Sequence, residues 1–188
     1  MIVVGVDPGT RRLGWGVVSR EGSRLSCLAH GVIALDAAKP LATRLEQIDR
    51  ELAVILERHR PEHGSVESLF FHRDAQAAAK LGHARGVALC GLARAGIPVF
   101  EYSPARVKRT LTGRGQAEKH QVALMVRAIL GLGAVPSSDA ADALAVAVTH
   151  LRLISFARAV EGQTGRSLAS FHPPRATRRR PPRGAVFR

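Results

Sequence analysis

Four acidic residues stand where carboxylates are least expected. Asp7 ends a nearly continuous apolar, strand-like run, and Glu67 interrupts a second apolar segment. Asp139 and Asp142 are three residues apart at the start of an apolar helical segment, so they share one helix face. Carboxylates are costly to bury unless something offsets their charge, so these positions are candidates for chemistry.

Each acid also has an ordinary interpretation. Asp139 is suited to N-cap a helix with Asp142 in its first turn, Asp7 could cap the Pro-Gly turn, and Glu67 could lie on a solvated strand face. Taken together, unpartnered carboxylates would repel one another and raise their own pKa values, so a fold that gathers them needs a cation. Oxygen ligands without Cys or clustered His favour Mg²⁺ or Mn²⁺. Two such ions about 4 Å apart can activate water for phosphodiester cleavage.

The elements that must position these acids alternate in type along the chain. Apolar spacing predicts strands at 2–6, 14–19 and 24–35, a helix at 40–59, a strand at 64–70, a helix at 74–95, a strand at 97–101, a short helix starting at Ser103-Pro104, and helices at 116–130 and 139–153. This order predicts an α/β fold with a mixed five-stranded sheet and helices on both faces.

The positive charge is concentrated at the end of the chain. The 188 residues carry a formal charge of +13, and residues 152–188 hold nine arginines against one acid, Glu161. We expect one domain at residues 1–155 and a basic, flexible Pro/Arg-rich tail at residues 156–188. Excess positive charge favours a polyanionic partner, which is either nucleic acid or an anionic membrane surface.

Nothing in the sequence indicates a membrane or secreted protein. No apolar stretch approaches the roughly 18 residues of a membrane span, and Asp7 precedes any signal-peptide core. Cys27 and Cys90 form no C-x-x-C pair, so both are expected to be small core residues in a reducing compartment. These features predict a cytoplasmic protein without a membrane partner.

Four stretches resemble the successive motifs of the RuvC family of Holliday junction resolvases. They are IVVGVDPGTRRLGWGVV, VESLFF followed by KLGHARGV, PVFEYSPARVKRTLTGRGQAEKHQV, and DAADALAVAVTH, in family order over about residues 1–151. The resemblance implies an RNase H-like fold and a nuclease of recombination and DNA repair that cuts four-way junctions by paired symmetric nicks. It also implies that Asp7, Glu67, Asp139 and Asp142 are catalytic and bind two Mg²⁺ ions, for which Mn²⁺ can substitute.

The resemblance extends to residues that contact DNA. Lys108 and Lys119 occupy positions of basic residues that face DNA in this family, and Phe70 matches an aromatic that stacks on bases. Arg114, in the Gly-Arg-Gly loop before Lys119, is a further candidate for phosphate binding. The ordinary interpretation of the two lysines is that they lie on a solvated helix face. The ordinary interpretation of Phe70 is that it packs in the core or in a dimer interface. Asp74 departs from the usual Asn and leaves the local contact open.

The resemblance further implies a homodimer and an association with the RuvA–RuvB branch-migration complex. Gly82, Gly86 and Gly91 lie in the small-residue helix and would permit close helix contact in such a dimer.

Three other classes of protein share parts of this pattern. An actin- or hexokinase-type ATPase has a similar D-x-G-T turn but needs two lobes, for which a chain without internal repeats is too short. A compact RuvC-like group linked to ribosomal RNA processing lacks the PVFEYSPARVK and GQAEKHQV stretches. A silent DNA-binding module has no reason to retain all four acids.

Overall fold

The computed structural model describes residues 1–68 and 75–164, which form five strands and five helices. The strands are β1 (Ile2–Asp7), β2 (Arg12–Glu21), β3 (Arg24–Ala34), β4 (His63–Glu67) and β5 (Val99–Tyr102). They form one mixed sheet with the order β3-β2-β1-β4-β5. The β1–β2 and β2–β3 pairs are antiparallel, whereas β1–β4 and β4–β5 are parallel. The predicted mixed five-stranded sheet is therefore confirmed.

Helices cover both faces of the sheet, as expected. They are α1 (Leu41–His59), α2 (Ala75–Arg94), α3 (Pro104–Thr112), α4 (Lys119–Leu130) and α5 (Ser138–Thr164). Successive residues of β1 point to opposite faces. Val4 therefore lies in the core formed with α1 and α2, while Val3 lies in the core formed with α3, α4 and α5.

Local capping interactions set the starts of α3 and α4. The Ser103 hydroxyl accepts a 3.3 Å hydrogen bond from the backbone N–H of Arg106, which confirms the predicted cap. Glu118 and Gln121 form a capping box, with the Glu118 N–H 3.2 Å from Gln121 Oε1. Helix α4 therefore begins at Lys119 rather than at the predicted residue 116.

The last helix is longer than its apolar pattern indicated. It runs to Thr164 rather than to residue 153, so residues 156–164, which we assigned to the tail, have helical backbone. No proline occurs in this stretch to end the helix. Residues 165–188 lie outside the described part of the chain, and the proposed division into a domain and a tail remains a prediction there.

Two further expectations concern the cysteines and membranes. Cys27 is half-buried on β3, but Cys90 is exposed on α2, so its assignment to the core was wrong. The helical pattern places Cys90 between the buried Ala88 and Leu92, on the outward face of the helix. None of the helices within residues 1–68 and 75–164 has the length and hydrophobicity of a membrane span.

Candidate active site

Glycines on β1 and β2 allow α5 to lie directly on the sheet. A Cβ atom at Gly5 would lie 1.9 Å from the carbonyl oxygen of Ala143, and one at Gly14 would lie 2.0 Å from the carbonyl oxygen of Asp139. Side chains at these positions would push the helix away. Because Gly14 pairs with Asp7 across the two strands, this packing sets the first turn of α5 beside Asp7.

The sheet brings Asp7 and Glu67 to the same edge. Asp7 is the last residue of β1 and Glu67 the last of β4. The two strands are parallel and pair Val6 with Val66, so both carboxylates follow at one end of adjacent strands. Asp139 and Asp142 join them from the first turns of α5.

Burial and neighbouring acids raise the pKa values of Asp7 and Glu67. Burial raises the pKa of Asp7 to about 7, with further contributions from Asp142, Glu67 and Asp139, while Lys119 opposes the shift. Burial followed by Asp142 also raises the pKa of Glu67. The acids therefore form a concentrated negative site.

Two cations partly offset this charge. Nζ of Lys119 lies 3.2 Å from Oδ2 of Asp142, and this pairing raises the pKa of the lysine. Nε of Arg12 lies 2.5 Å from Oδ2 of Asp139. As these side chains are placed, no three His, Cys, Asp or Glu residues within the described ranges are grouped closely enough to enclose a metal ion.

The chemistry of the donors nevertheless fits a hard divalent cation. Asp7 and Glu67 are held among like charges, and carboxylate oxygens are the ligands that Mg²⁺ and Mn²⁺ prefer. Arg12 and Lys119 have side chains 55% and 76% exposed, so both can turn away without repacking the core. For an ion to bind between the acids, these two ion pairs must open and the carboxylate side chains must move closer together.

The predicted DNA contacts differ in their relation to the acids. Lys108 is half-buried on α3 and lowers the pKa of Glu67, as does Lys119. Arg114 is exposed in the loop between α3 and α4 and is not among the groups that shift Asp7 or Glu67. Phe70 lies outside the described residues, as does Asp74.

Sequence reasoning missed Arg85 on α2, which supports the Glu67 strand end. This arginine is only 7% exposed, and its Nη1 donates a 2.6 Å hydrogen bond to the carbonyl oxygen of Glu67. Its Nη2 lies 2.7 Å from Oε2 of Glu101 on β5. A signal was present, because Arg85 lies within the KLGHARGV stretch that carries part of the family resemblance, next to Ala84, which is also buried.

Comparison with known proteins places this arrangement in a family. The family model described as "Crossover junction endodeoxyribonuclease RuvC" matches residues 3–150. The chain belongs to the RuvC family. The expected family, RNase H-like fold and nuclease class are confirmed by this match and by the relatives that follow.

Individual RuvC proteins are similar over most of the chain. The crossover junction endodeoxyribonuclease RuvC of Sorangium cellulosum is 57% identical over 160 residues, which cover 85% of this chain and 89% of the relative. The structure of Thermus thermophilus RuvC is 42% identical with a TM-score of 0.77, covering 83% of this chain and 96% of the other. T. thermophilus RuvC in complex with a Holliday junction substrate has the same TM-score and coverage at 40% identity.

Proposed function

We propose that this protein resolves Holliday junctions in recombination and DNA repair, using the edge of the sheet that carries the four acids. The observation that carries the proposal is the meeting of Asp7, Glu67, Asp139 and Asp142 at this edge in a chain of the RuvC family. Relatives are named as crossover junction endodeoxyribonucleases, and one was solved with a Holliday junction substrate. Four-way junction DNA is therefore the proposed substrate.

The four acids are proposed to hold two divalent ions, Mg²⁺ or in its place Mn²⁺. When bound, such ions activate a water molecule and stabilise the leaving oxygen of a phosphodiester. Asp7 supplies a half-buried carboxylate at the end of β1, and its pKa is raised to about 7 first by burial and then by the neighbouring acids, whose negative charge a cation would offset. Arg85 holds the backbone of Glu67, so the end of β4 keeps its position while the ion pairs made by Asp139 and Asp142 rearrange.

Basic residues beside the acids are proposed to bind the DNA backbone. Lys119 begins α4, where free backbone N–H groups add to its own charge in favouring a phosphate. Lys108 on α3 lies close enough to Glu67 to influence its pKa, so it is placed to contact a phosphate near the cut. Arg114, on the exposed loop between these helices, and Phe70 are proposed as further contacts.

We also propose a homodimer formed through the exposed face of α2. Ala79, His83, Gly86 and Cys90 recur on this face at helical spacing and are exposed. A Cβ atom at Gly82 or Gly86 would meet nothing within 4 Å, so another helix can approach closely. A two-fold dimer would present one acidic site to each of two opposed strands of the junction and so produce paired nicks. The RuvA–RuvB partner and the cytoplasmic location stay predictions.

Cleavage of a synthetic four-way junction tests the proposal. The full chain should nick the junction symmetrically with Mg²⁺ and leave it intact in EDTA. Asp7→Asn and Glu67→Gln should each reduce cleavage by roughly 10²-fold or more, because each removes a proposed metal ligand, while junction binding persists. Glu57→Gln, on the exposed side of α1, is the matched control and should cut normally. Full activity of Asp7→Asn, or equal cutting of linear duplex, would contradict the proposal.

Sedimentation of the free chain and of its junction complex tests the dimer. Gly86→Glu should give a monomer, because it adds bulk and charge to the α2 face. Val54→Glu, on the exposed side of α1 where the wild-type side chain is 60% exposed, should leave the dimer intact. An active monomer on junction DNA would exclude paired nicking by a dimer.

A further inference from the structure

Arg12 is the first residue of β2, and its side chain lies against the start of α5. Its Nε donates a 2.5 Å hydrogen bond to Oδ2 of Asp139. Alternate residues of a strand point to the same face. Gly14, two residues further along, is the position over which the backbone of Asp139 sits. The strand therefore directs the Arg12 side chain to the face of the sheet that carries the α5 acids.

This ion pair affects any cation that approaches Asp139. An arginine keeps its charge at physiological pH, so deprotonation cannot release the pair. The side chains are 55% and 29% exposed, and an ion pair that is open to water is weak enough to exchange partners. A divalent ion must therefore displace the guanidinium of Arg12 or bind against its repulsion.

Arg11 provides a natural comparison. It is exposed like Arg12 and carries the same charge, but in the described part of the chain it forms no ion pair. Its backbone carbonyl accepts a 2.9 Å hydrogen bond from the N–H of Leu35. Arg11 and Arg12 are thus adjacent in the sequence and carry the same charge, but only Arg12 contacts Asp139.

We propose that Arg12 is a positioning residue that couples divalent-ion binding to DNA binding. The inference rests on the proposed function, because it assumes that Asp139 is a metal ligand. In the free protein, Arg12 holds Asp139 and competes with the ion for the carboxylate. A DNA phosphate offers the guanidinium a second partner of the kind arginine binds well, which releases Asp139 for the ion. Because coupling between two ligands is reciprocal, a bound ion also raises the affinity for DNA.

Calorimetric titration of the full chain with Mn²⁺ in the absence of DNA tests the competition. Arg12→Gln should bind Mn²⁺ about two- to tenfold more tightly than the wild type, the range expected for removal of a partly exposed cation beside a ligand. Arg11→Gln loses the same charge without touching Asp139 and should change the affinity by less than twofold. Arg12→Lys keeps the charge and should stay close to the wild type.

Fluorescence anisotropy with a labelled four-way junction tests the coupling. Binding is compared in EDTA and in Ca²⁺, under conditions where a parallel gel shows the junction intact. Ca²⁺ should raise the junction affinity of the wild type and of Arg11→Gln. The increase should be smaller in Arg12→Gln, because Asp139 is already free in that variant.

The outcomes separate this inference from the proposed function. If Mn²⁺ binding is lost in Asp7→Asn but is the same in wild type and Arg12→Gln, the metal site stands and the role of Arg12 is wrong. An equal gain in Arg11→Gln and Arg12→Gln would reduce the effect to net charge and also overturn it. If the wild type binds no Mn²⁺, or Asp7→Asn binds it normally, the proposed metal site itself fails.

Discussion

Gly5 on β1 lies directly opposite Gly16 on β2, and α5 crosses the sheet over this pair. A Cβ atom at Gly16 would lie 2.5 Å from Cδ2 of Leu144, and one at Gly5 would meet the helix backbone even more closely. The missing side chains let the helix that carries two of the acids approach the strand that carries a third. The arrangement of the acids therefore depends on the absence of side chains at Gly5 and Gly16.

Gly14→Ala should damage the acidic site more than the fold. The new Cβ would meet the backbone of Asp139, which cannot move without shifting the start of α5 away from Asp7. We expect a loss of roughly 1–3 kcal/mol in the free energy of unfolding and at least a tenfold loss of Mn²⁺ affinity. Denaturant titration and calorimetry measure the two effects. Gly133→Ala, where the added Cβ meets nothing within 4 Å, should behave as wild type.

Removing Arg85 should test whether α2 holds the end of β4. Arg85→Gln loses the ion pair to Glu101 and leaves the Glu67 carbonyl without its 2.6 Å donor. Because the arginine is buried, we expect a loss of about 2–4 kcal/mol in the free energy of unfolding, together with weaker Mn²⁺ binding. Arg94→Gln removes an exposed ion pair with Asp49 at the end of the same helix and should change the stability much less than Arg85→Gln does. Equal costs for the two variants would contradict the proposed support.

The order of the elements could be predicted because apolar periodicity records which face each segment buries. The four acids were visible for the same reason, since each one breaks an apolar pattern. The start of α4 and the C-terminal end of α5 were misplaced, because capping contacts and helix propensity rather than burial decide where these helices begin and end. The Arg12–Asp139 pair joins residues 127 positions apart, and no local pattern reports which cation a distant fold places on an acid.

The raised pKa of Asp7 predicts that the metal-free protein loses stability as the pH rises. Below about pH 4 this carboxyl is protonated in both the folded and the unfolded chain. Between there and its folded pKa of about 7, only the folded chain holds the proton, so the free energy of unfolding falls through this window and the full cost remains above it. Asp7→Asn should thus be more stable than wild type by about 2–4 kcal/mol at pH 8 in EDTA.

Comparison with the variant is essential, because His150 acts in the opposite direction. Burial, followed by the charges of His63 and Arg20, lowers the pKa of His150 to about 3, so its neutral form is favoured in the fold and acid is destabilising below about pH 6.5. The difference between Asp7→Asn and wild type cancels this contribution. Denaturant titrations should show the difference vanishing at pH 4 and reversing at pH 8 when Mg²⁺ is saturating. A constant difference across this range would contradict the assigned pKa.

The C-terminal arginines should add affinity for DNA without selecting its shape. Residues 165–188 contain seven arginines and no acid, and they follow the end of α5 at Thr164, so their deletion leaves every described element in place. Arginines that contact backbone phosphates release counterions from any duplex, whereas the choice of a junction requires the folded surface around the acids. Deletion should weaken junction and linear-duplex binding by similar factors and flatten the salt dependence of both, by roughly 0.9 in slope for each lost phosphate contact. Anisotropy titrations over a range of salt concentrations measure this, and the positions of the nicks should stay unchanged. Loss of junction preference with normal duplex affinity would instead make this segment a reader of junction structure.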